Sequence, residues 1–207
     1  YDAEGGRRRM LALTALLRLR QACCDLRLLN LPGVDEEGGS VKMEELKGLL
    51  EEAVAGGHRV LVFSQFVQML QGVVPVLMEK GFEFCYLDGQ TRKRGEVVRR
   101  FQESSVPVFL ISLKAGGVGL NLTGADTVIH VDPWWNPAVE AQATDRAHRI
   151  GQKRVVTSYR LITRNTVEEK ILALQERKRK LIASTLDKDV SGPGAGLSEN
   201  EIFELFG

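Results

Sequence analysis

Apolar positions along this chain follow two rhythms that alternate from about position 41 onward. Met43, Leu46, Leu50, Ala53 and Val54 recur at helical intervals and predict an amphipathic helix. The run 59–63 is short and continuously apolar, as in a buried parallel strand. Phe66, Met69, Leu70, Val73, Val74 and Leu77 predict a second helix, bent at Pro75. Residues 82–87 read as strand, 94–102 as a helix with Val97, Val98 and Phe101 inward, and 106–111 as strand. Residues 127–131 read as strand, followed by a helix with Asn136 as N-cap, Pro137 at the first helical position and Gly151 as the stop. Residues 155–162 read as the last strand. Strands alternating with helices imply βαβ units and a parallel sheet, an α/β fold.

The flanks are helical. Residues 7–29 carry Leu11, Leu16, Leu19 and Cys23 at mixed helical spacings, and 32–40 form a Gly-containing loop. Thr166 with Glu169 makes a capping box for a helix whose apolar stripe is Val167, Ile171, Leu174, Leu181 and Ile182. Residues 191–196 form a flexible linker. Residues 198–206 predict a tail helix with Ile202, Leu205 and Phe206 able to dock.

At 207 residues with 43% hydrophobic content, the chain has the size and composition of an ordinary α/β domain with short appendages. No apolar run approaches the roughly 20 residues of a membrane helix, and no secretory pattern opens the chain. The chain opens on Tyr1 rather than Met and reads as a fragment of a longer protein. Three cysteines, two of them adjacent, give no disulfide framework or C-x-x-C spacing and suit a reducing compartment, so the protein is expected not to be secreted. A net charge of +1 hides basic runs at 7–9, 92–94 and 177–180, each a solvated face or part of a polyanion site. His58, His130 and His148 lack metal-ligand spacing, so no metal site is expected; His130 and His148 read as hydrogen-bonded structural residues.

Candidate chemistry concentrates late in the chain. At 100° per residue, Gln142, Arg146 and Arg149 share one helix face, and two guanidiniums with an amide in one row suit a polyphosphate. Asp145 and Arg149 also stand at i,i+4, the spacing of a plain surface pair. The glycines of 115–123 follow a strand, where backbone N–H groups approach a ligand or make a tight turn. Ser64 and Gln65 sit at a strand's C-terminal end, where open α/β sheets bind ligands, although Ser64 is also a ready N-cap. Asp88-Gly89 is a turn signal, and Trp135 is equally a core tryptophan. No G-x-x-x-x-G-K-[ST] is present, and Asp35-Glu36-Glu37 follows no strand, so phosphate and Mg2+ ligands are missing.

The run 132–152, Asp-Pro-Trp-Trp-Asn-Pro through Arg-Ala-His-Arg-Ile-Gly-Gln, resembles motif VI of the Swi/Snf-like DNA translocases, ATPases of helicase superfamily two. The similarity extends over about 42–186. Residues 60–66 resemble motif IV, 86–91 the family's L-D-G-Q-T element, and 112–123 motif V. Leu113 stands where the family often has threonine, Trp134 where many relatives are polar, and 19–24 lacks the family's following Asn-His-Pro. The resemblance implies a second, C-terminal RecA-like lobe of P-loop NTPase type over 41–165. A helical extension would occupy 1–40, and a C-terminal brace helix, linker and tail 166–207. It implies ATP held between this lobe and an N-terminal RecA-like lobe of the same protein, with the Mg2+ ligands in that first lobe. Gln142, Arg146 and Arg149 would serve the nucleotide's phosphates. Gly117, Gly119 and Asn121 would line the cleft. Ser64, Gln65, Thr91, Arg92, Ser112, Lys114 and Trp135 would meet double-stranded DNA. A DNA-bound protein is a further implied target. Two rival readings are a non-enzymatic binding module derived from such a lobe and an RNA helicase lobe. The Trp-Asn-Pro and Ala-His-Arg-Ile-Gly-Gln strings favour the Swi/Snf-like branch.

Overall fold

The computed structural model describes residues 3–34, 39–115, 120–149, 151–184 and 197–206. Gly117, Gly119, the acidic trio at 35–37 and the linker at 191–196 lie outside them. Helix α1 (Ala3–Cys24) is followed by a 3-10 turn at Leu26–Leu29, then α2 (Val41–Ala55), β1 (Val60–Ser64), α3 (Val67–Glu79), β2 (Phe84–Leu87), α4 (Arg94–Glu103), β3 (Val108–Ser112), β4 (Thr127–His130), α5 (Pro137–Thr144), β5 (Thr157–Arg160), α6 (Val167–Ser184) and α7 (Glu199–Glu204). The five strands form one parallel sheet in the order β2-β3-β1-β4-β5, the α/β arrangement that the alternating pattern predicts.

The period-2 geometry of the central strands divides the core in two. Val60, Val62, Val108, Leu110 and Ile129 face α2 and α3, among Leu46, Leu50, Met69, Leu70 and Leu77. Leu61, Phe63, Phe109, Ile111 and Val128 face the other side, with Phe101, Ala143 and Ala147. A third, smaller cluster joins α1, α6 and α7 through Leu16, Val167, Ile171, Leu174, Ile202 and Leu205. The tail helix docks there through Ile202 and Leu205, whereas Phe206 stays exposed. The basic stretch of α6 is largely structural: Arg177 and Lys178 pair with Glu204 and Glu201 of α7 at 2.6 and 2.9 Å.

Several elements differ from the pattern-based expectation, each for a local reason. Residues 7–29 are not one helix. Asp25 accepts a hydrogen bond from the Arg27 N–H and starts the separate 3-10 turn, which ends at Asn30 in a left-handed conformation. The buried line of α1 is Leu16, Arg20 and Cys24, spaced i,i+4, while Leu11 and Leu19 are exposed. Strands β1 and β3 run one residue further than their apolar runs and bring Ser64 and Ser112 into register, both buried. The capping box before α6 is shifted: the Thr166 hydroxyl accepts from the Glu168 N–H, and the Glu169 carboxylate accepts from the Asn165 N–H. Helix α5 stops at Thr144 with Asp145 as C-cap, so its face does not extend to Arg146 or Arg149.

Candidate functional site: the strand-end edge and the arginine turn

The C-terminal ends of β1, β3 and β4 carry most of the polar side chains singled out above. Asp132, just past β4, is 4% exposed and acts as their hub. Its Oδ1 accepts from the Ser64 hydroxyl at 2.5 Å and from the Gln65 N–H at 3.2 Å. Ser64 Oγ in turn accepts from the Phe66 N–H at 3.0 Å. Ser64 therefore shapes the turn into α3 and does not present its hydroxyl outward. Ser112 is buried as well, its Oγ accepting from the Ala115 N–H at 3.3 Å. Thr91 closes a turn after β2, donating to Asp88 Oδ1 at 3.1 Å and accepting from the Asp88 N–H at 3.0 Å. The three hydroxyls are internally engaged, so any meeting with DNA there would rest on the turns they shape rather than on free hydroxyls.

Other members of the set are open. Lys114, Gln65, Trp135 and Gln142 line one groove of about 600 Å3 between α1 and the strand ends. Gln65 Nε2 is buried without a hydrogen-bond partner among the described residues. Trp134 and Trp135 stack at 3.8 Å between ring centroids, 27° apart. Arg92 is exposed beside the Thr91 turn. Trp135 also packs partly against the α1, α6 and α7 cluster, so it serves the core and the groove together.

The arginines lie elsewhere. Gln142 stays on α5 and lines the groove, while Arg146 falls in the turn beyond the helix end, so the expected single face is broken by that early stop. Arg146 is 4% exposed, and its Nε and Nη1 have no hydrogen-bond partner among the described residues. Burial lowers its pKa from the ordinary arginine value, and the neighbouring Arg149 charge pushes the same way. Arg149 is exposed and forms no ion pair with Asp145. Two guanidiniums are thus close enough to repel, one of them buried without a counter-charge among the described residues. Leaving a buried charge unpaired costs several kcal/mol on general grounds, about 3–5. An arriving anion relieves it.

The motif V segment is tied to this turn. The Leu122 N–H donates to the Arg146 carbonyl at 3.0 Å. Gln152 Nε2 donates to the carbonyls of Thr123, Ala125 and Ala147 at 3.2, 2.6 and 3.2 Å. Asn121 is exposed, and its carbonyl accepts from Gln102 Nε2 at 3.1 Å. Gln152 went unassigned in the sequence; an amide three residues after Arg149 is no signal until the chain folds back on 123–125. His130 is buried as expected, bonded to the Thr144 hydroxyl at 3.0 Å and stacked on Phe63, with burial lowering its pKa to about 4. His148 is exposed, and its ring has no hydrogen-bond partner among the described residues, contrary to the structural role expected of it.

Arg20 and Glu140 were also missed. Arg20 is 1% exposed; it donates through Nη2 to the Pro133 carbonyl at 2.7 Å and lies 3.6 Å from Asp132 Oδ2. Glu140 Oε1 accepts from the Trp134 N–H and from Gln175 Nε2, both at 2.7 Å, and Oε2 lies 3.0 Å from Arg160 Nε. These contacts fix the ends of the 132–136 turn. The acid spaced six residues after Trp134 is a faint signal; Arg20 falls in the 19–24 stretch compared with a family element above, but nothing there points to the strand ends.

Residues 41–151 match the helicase conserved C-terminal domain. An uncharacterized ATP-dependent helicase of Mycoplasma pneumoniae is 41% identical over 94% of this chain and 19% of its own length. The chromatin-remodeling ATPase INO80 of Emericella nidulans is 46% identical over 75% of this chain and 10% of its own length. The chain therefore spans about a fifth or less of these curated relatives. Among solved structures, the C-terminal part of the Fun30 ATPase domain superposes with a TM-score of 0.68 at 34% identity, covering 91% of this chain and 61% of that one. The Sulfolobus solfataricus SWI2/SNF2 ATPase C-terminal domain gives 0.67 at 32% identity, covering 96% and 82%. On a parallel sheet of this order and strings of this length, the chain belongs to the helicase conserved C-terminal domain family, as a C-terminal RecA-like lobe of the Swi/Snf-like ATPases in helicase superfamily two.

Proposed function

We propose that this chain is the second lobe of a two-lobe, ATP-dependent translocase acting on double-stranded DNA. The observation that carries the reading is Arg146, a buried guanidinium whose Nε and Nη1 have no partner among the described residues, beside the exposed Arg149. This donor set suits the oxyanions of a polyphosphate, so the residues fit ATP presented by a first lobe. Mg-ATP supplies the phosphoryl group whose transfer drives the cycle. Arg146 and Arg149 stabilise charge that develops on the phosphates, and Gln152 holds their turn against motif V. Asn121, one residue before Leu122 whose N–H bonds the Arg146 carbonyl, would line the cleft. The Mg2+ ligands belong to the first lobe, because this chain carries no Walker A pattern.

DNA is held by the open members of the strand-end set: Lys114, Gln65, Trp135 and Arg92. Ser64, Ser112 and Thr91 shape the turns that carry them. Contacts of this type grip the backbone without reading sequence. Opening and closing of the two lobes then displaces the grip along the duplex. Gln142 lines the same groove as Lys114, Gln65 and Trp135. A DNA-bound protein is the object displaced, and nuclear or nucleoid location follows from the substrate.

The test is Arg149→Ala in the two-lobe protein. Turnover falls by about 10³-fold or more, the usual contribution of such an arginine, while ATP binding is largely retained. Normal turnover in this variant would overturn the arginine assignment. The isolated chain hydrolyses ATP no faster than background; robust DNA-stimulated turnover by it would overturn the two-lobe reading.

A further inference from the structure

We infer that Arg20 of α1 is a positioning residue for the DNA-facing rim, fixing the Trp134–Trp135 step and the Gln65 turn in one arrangement. The inference rests on the DNA-edge reading above.

Arg20 is carried by a helix outside the matched 41–151 segment, yet its side chain ends among the strand tips. Its guanidinium carbon lies 5.0 Å from the Trp135 ring centroid, 5.2 Å from Trp134 and 5.8 Å from Phe66. A flat, delocalised cation presents faces to several rings, which a lysine ammonium does not. Its Nη2 holds the Pro133 carbonyl, the residue directly before the tryptophan pair. Its charge faces Asp132, whose other oxygen takes the Ser64 hydroxyl and the Gln65 N–H. One guanidinium–carboxylate pair thus spans two turns, the one after β1 that bears Gln65 and the one after β4 that bears Trp135. Both residues line the groove that Lys114 also borders.

A buried charge pair is a poor way to gain stability alone, since an apolar side chain of similar volume does as well or better. Here the pair sets geometry. Arg20 Nε and Asp132 Oδ2 have no hydrogen-bond partner among the described residues, so the ion pair is loose at 3.6 Å while the contacts to the two turns are close. Helix α1 is itself clamped by the tail: Leu16 packs with Ile202 and Leu205, and Arg9 Nη2 reaches the Leu197 carbonyl at 3.3 Å. The appended helices therefore hold Arg20 in place, and Arg20 holds the rim.

The experiment measures the DNA concentration that half-saturates stimulation of ATP turnover by the full two-lobe protein, with thermal midpoints alongside. Arg20→Met raises that concentration by about tenfold, comparable with losing one hydrogen bond to a charged group. The rise exceeds any fall in maximal turnover. Arg20→Lys, which keeps the charge beside Asp132 but not the flat face, raises it by about threefold. A purely structural role lowers the thermal midpoint and maximal turnover and leaves the half-saturating concentration where it was, and that result overturns the inference. Should Arg20→Met not fold, an unchanged value in Arg20→Lys overturns it equally. Lys114→Ala is the reference. If it shifts half-saturation and the Arg20 variants do not, the positioning role alone falls. If none of them shifts it, the DNA-edge reading falls too.

Discussion

Lys42 and Arg146 are both buried cations, 5% and 4% exposed, and they are built in opposite ways. Lys42 Nζ donates to the Val131 carbonyl at 2.8 Å and to Glu168 Oε1 at 2.6 Å. Glu168 Oε2 accepts the Thr163 N–H at 2.8 Å, so the pair is closed on itself and ties α2, β4 and α6 together. Among the described residues Arg146 has no counter-ion, and two of its nitrogens are unpartnered. A cation whose partners are all internal is part of the scaffold. A buried cation with no partner among the described residues is, on the reading proposed above, kept for an incoming phosphate. The same substitution at the two positions should therefore have opposite consequences, and that contrast can be broken by measurement.

Arg146→Met carries the largest expected effect. Turnover of the two-lobe protein drops by about 10³-fold or more, while the urea midpoint of this chain holds or rises, because an uncompensated charge is removed. A variant that unfolds readily but keeps its turnover would place Arg146 with Lys42 as scaffold. Lys42→Met gives the converse. It strands the Glu168 carboxylate in the interior and costs about 3–5 kcal/mol in denaturant titration. Loss of turnover at unchanged stability there would dissolve the comparison from the other side.

The next effect is pH-dependent. His130 has its folded pKa lowered to about 4 by burial, below the ordinary histidine value. A lowered value means the folded state resists protonation, so its contribution is fully present above the unfolded pKa of about 6.5 and is lost as pH falls toward 4. That window is worth about 3 kcal/mol, at 1.36 kcal/mol per pKa unit. His130→Asn should flatten the stability profile between pH 6.5 and 4, as followed by urea unfolding at several pH values; an unchanged slope would show that other groups set it. The smallest effect sharpens the DNA edge. Lys114→Ala should lower the log–log salt slope of duplex binding by about 0.9, the value of one phosphate contact, equally for two unrelated sequences. An unchanged slope turns Lys114 toward solvent or the nucleotide cleft.

How much of this was readable beforehand differs element by element. The strands were legible because burial on both faces leaves apolar runs such as 60–63 and 108–111, and their alternation with helical spacings dictates a parallel sheet. The family was legible because a string as long as 132–152 has no other origin. The site was legible only as membership. Gln142, Arg146 and Arg149 stand at helical spacing, and nothing local says that α5 gives way after Thr144; the Gln152 amide bonds to 123–125 and the Arg146 carbonyl contact with Leu122 belong to the folded arrangement of the arginine turn. Ser64 looked equally able to cap or to contact DNA, and the choice was made by Asp132, sixty-eight positions away.

What the residues alone determined, then, is whatever depends on near neighbours: strand and helix periodicity, the Asn136 cap and the motif strings themselves. What only the tertiary structure decided is which polar groups are spent internally and which are left over. A serine, a lysine and an arginine each carry the same donors wherever they stand, and burial beside a partner cannot be seen in the order of residues. Ser64 and Lys42 found their partners across the sheet, Arg20 found two turns and a pair of tryptophans, and Arg146 found none among the described residues, because hydrogen bonding and desolvation act through space rather than along the chain.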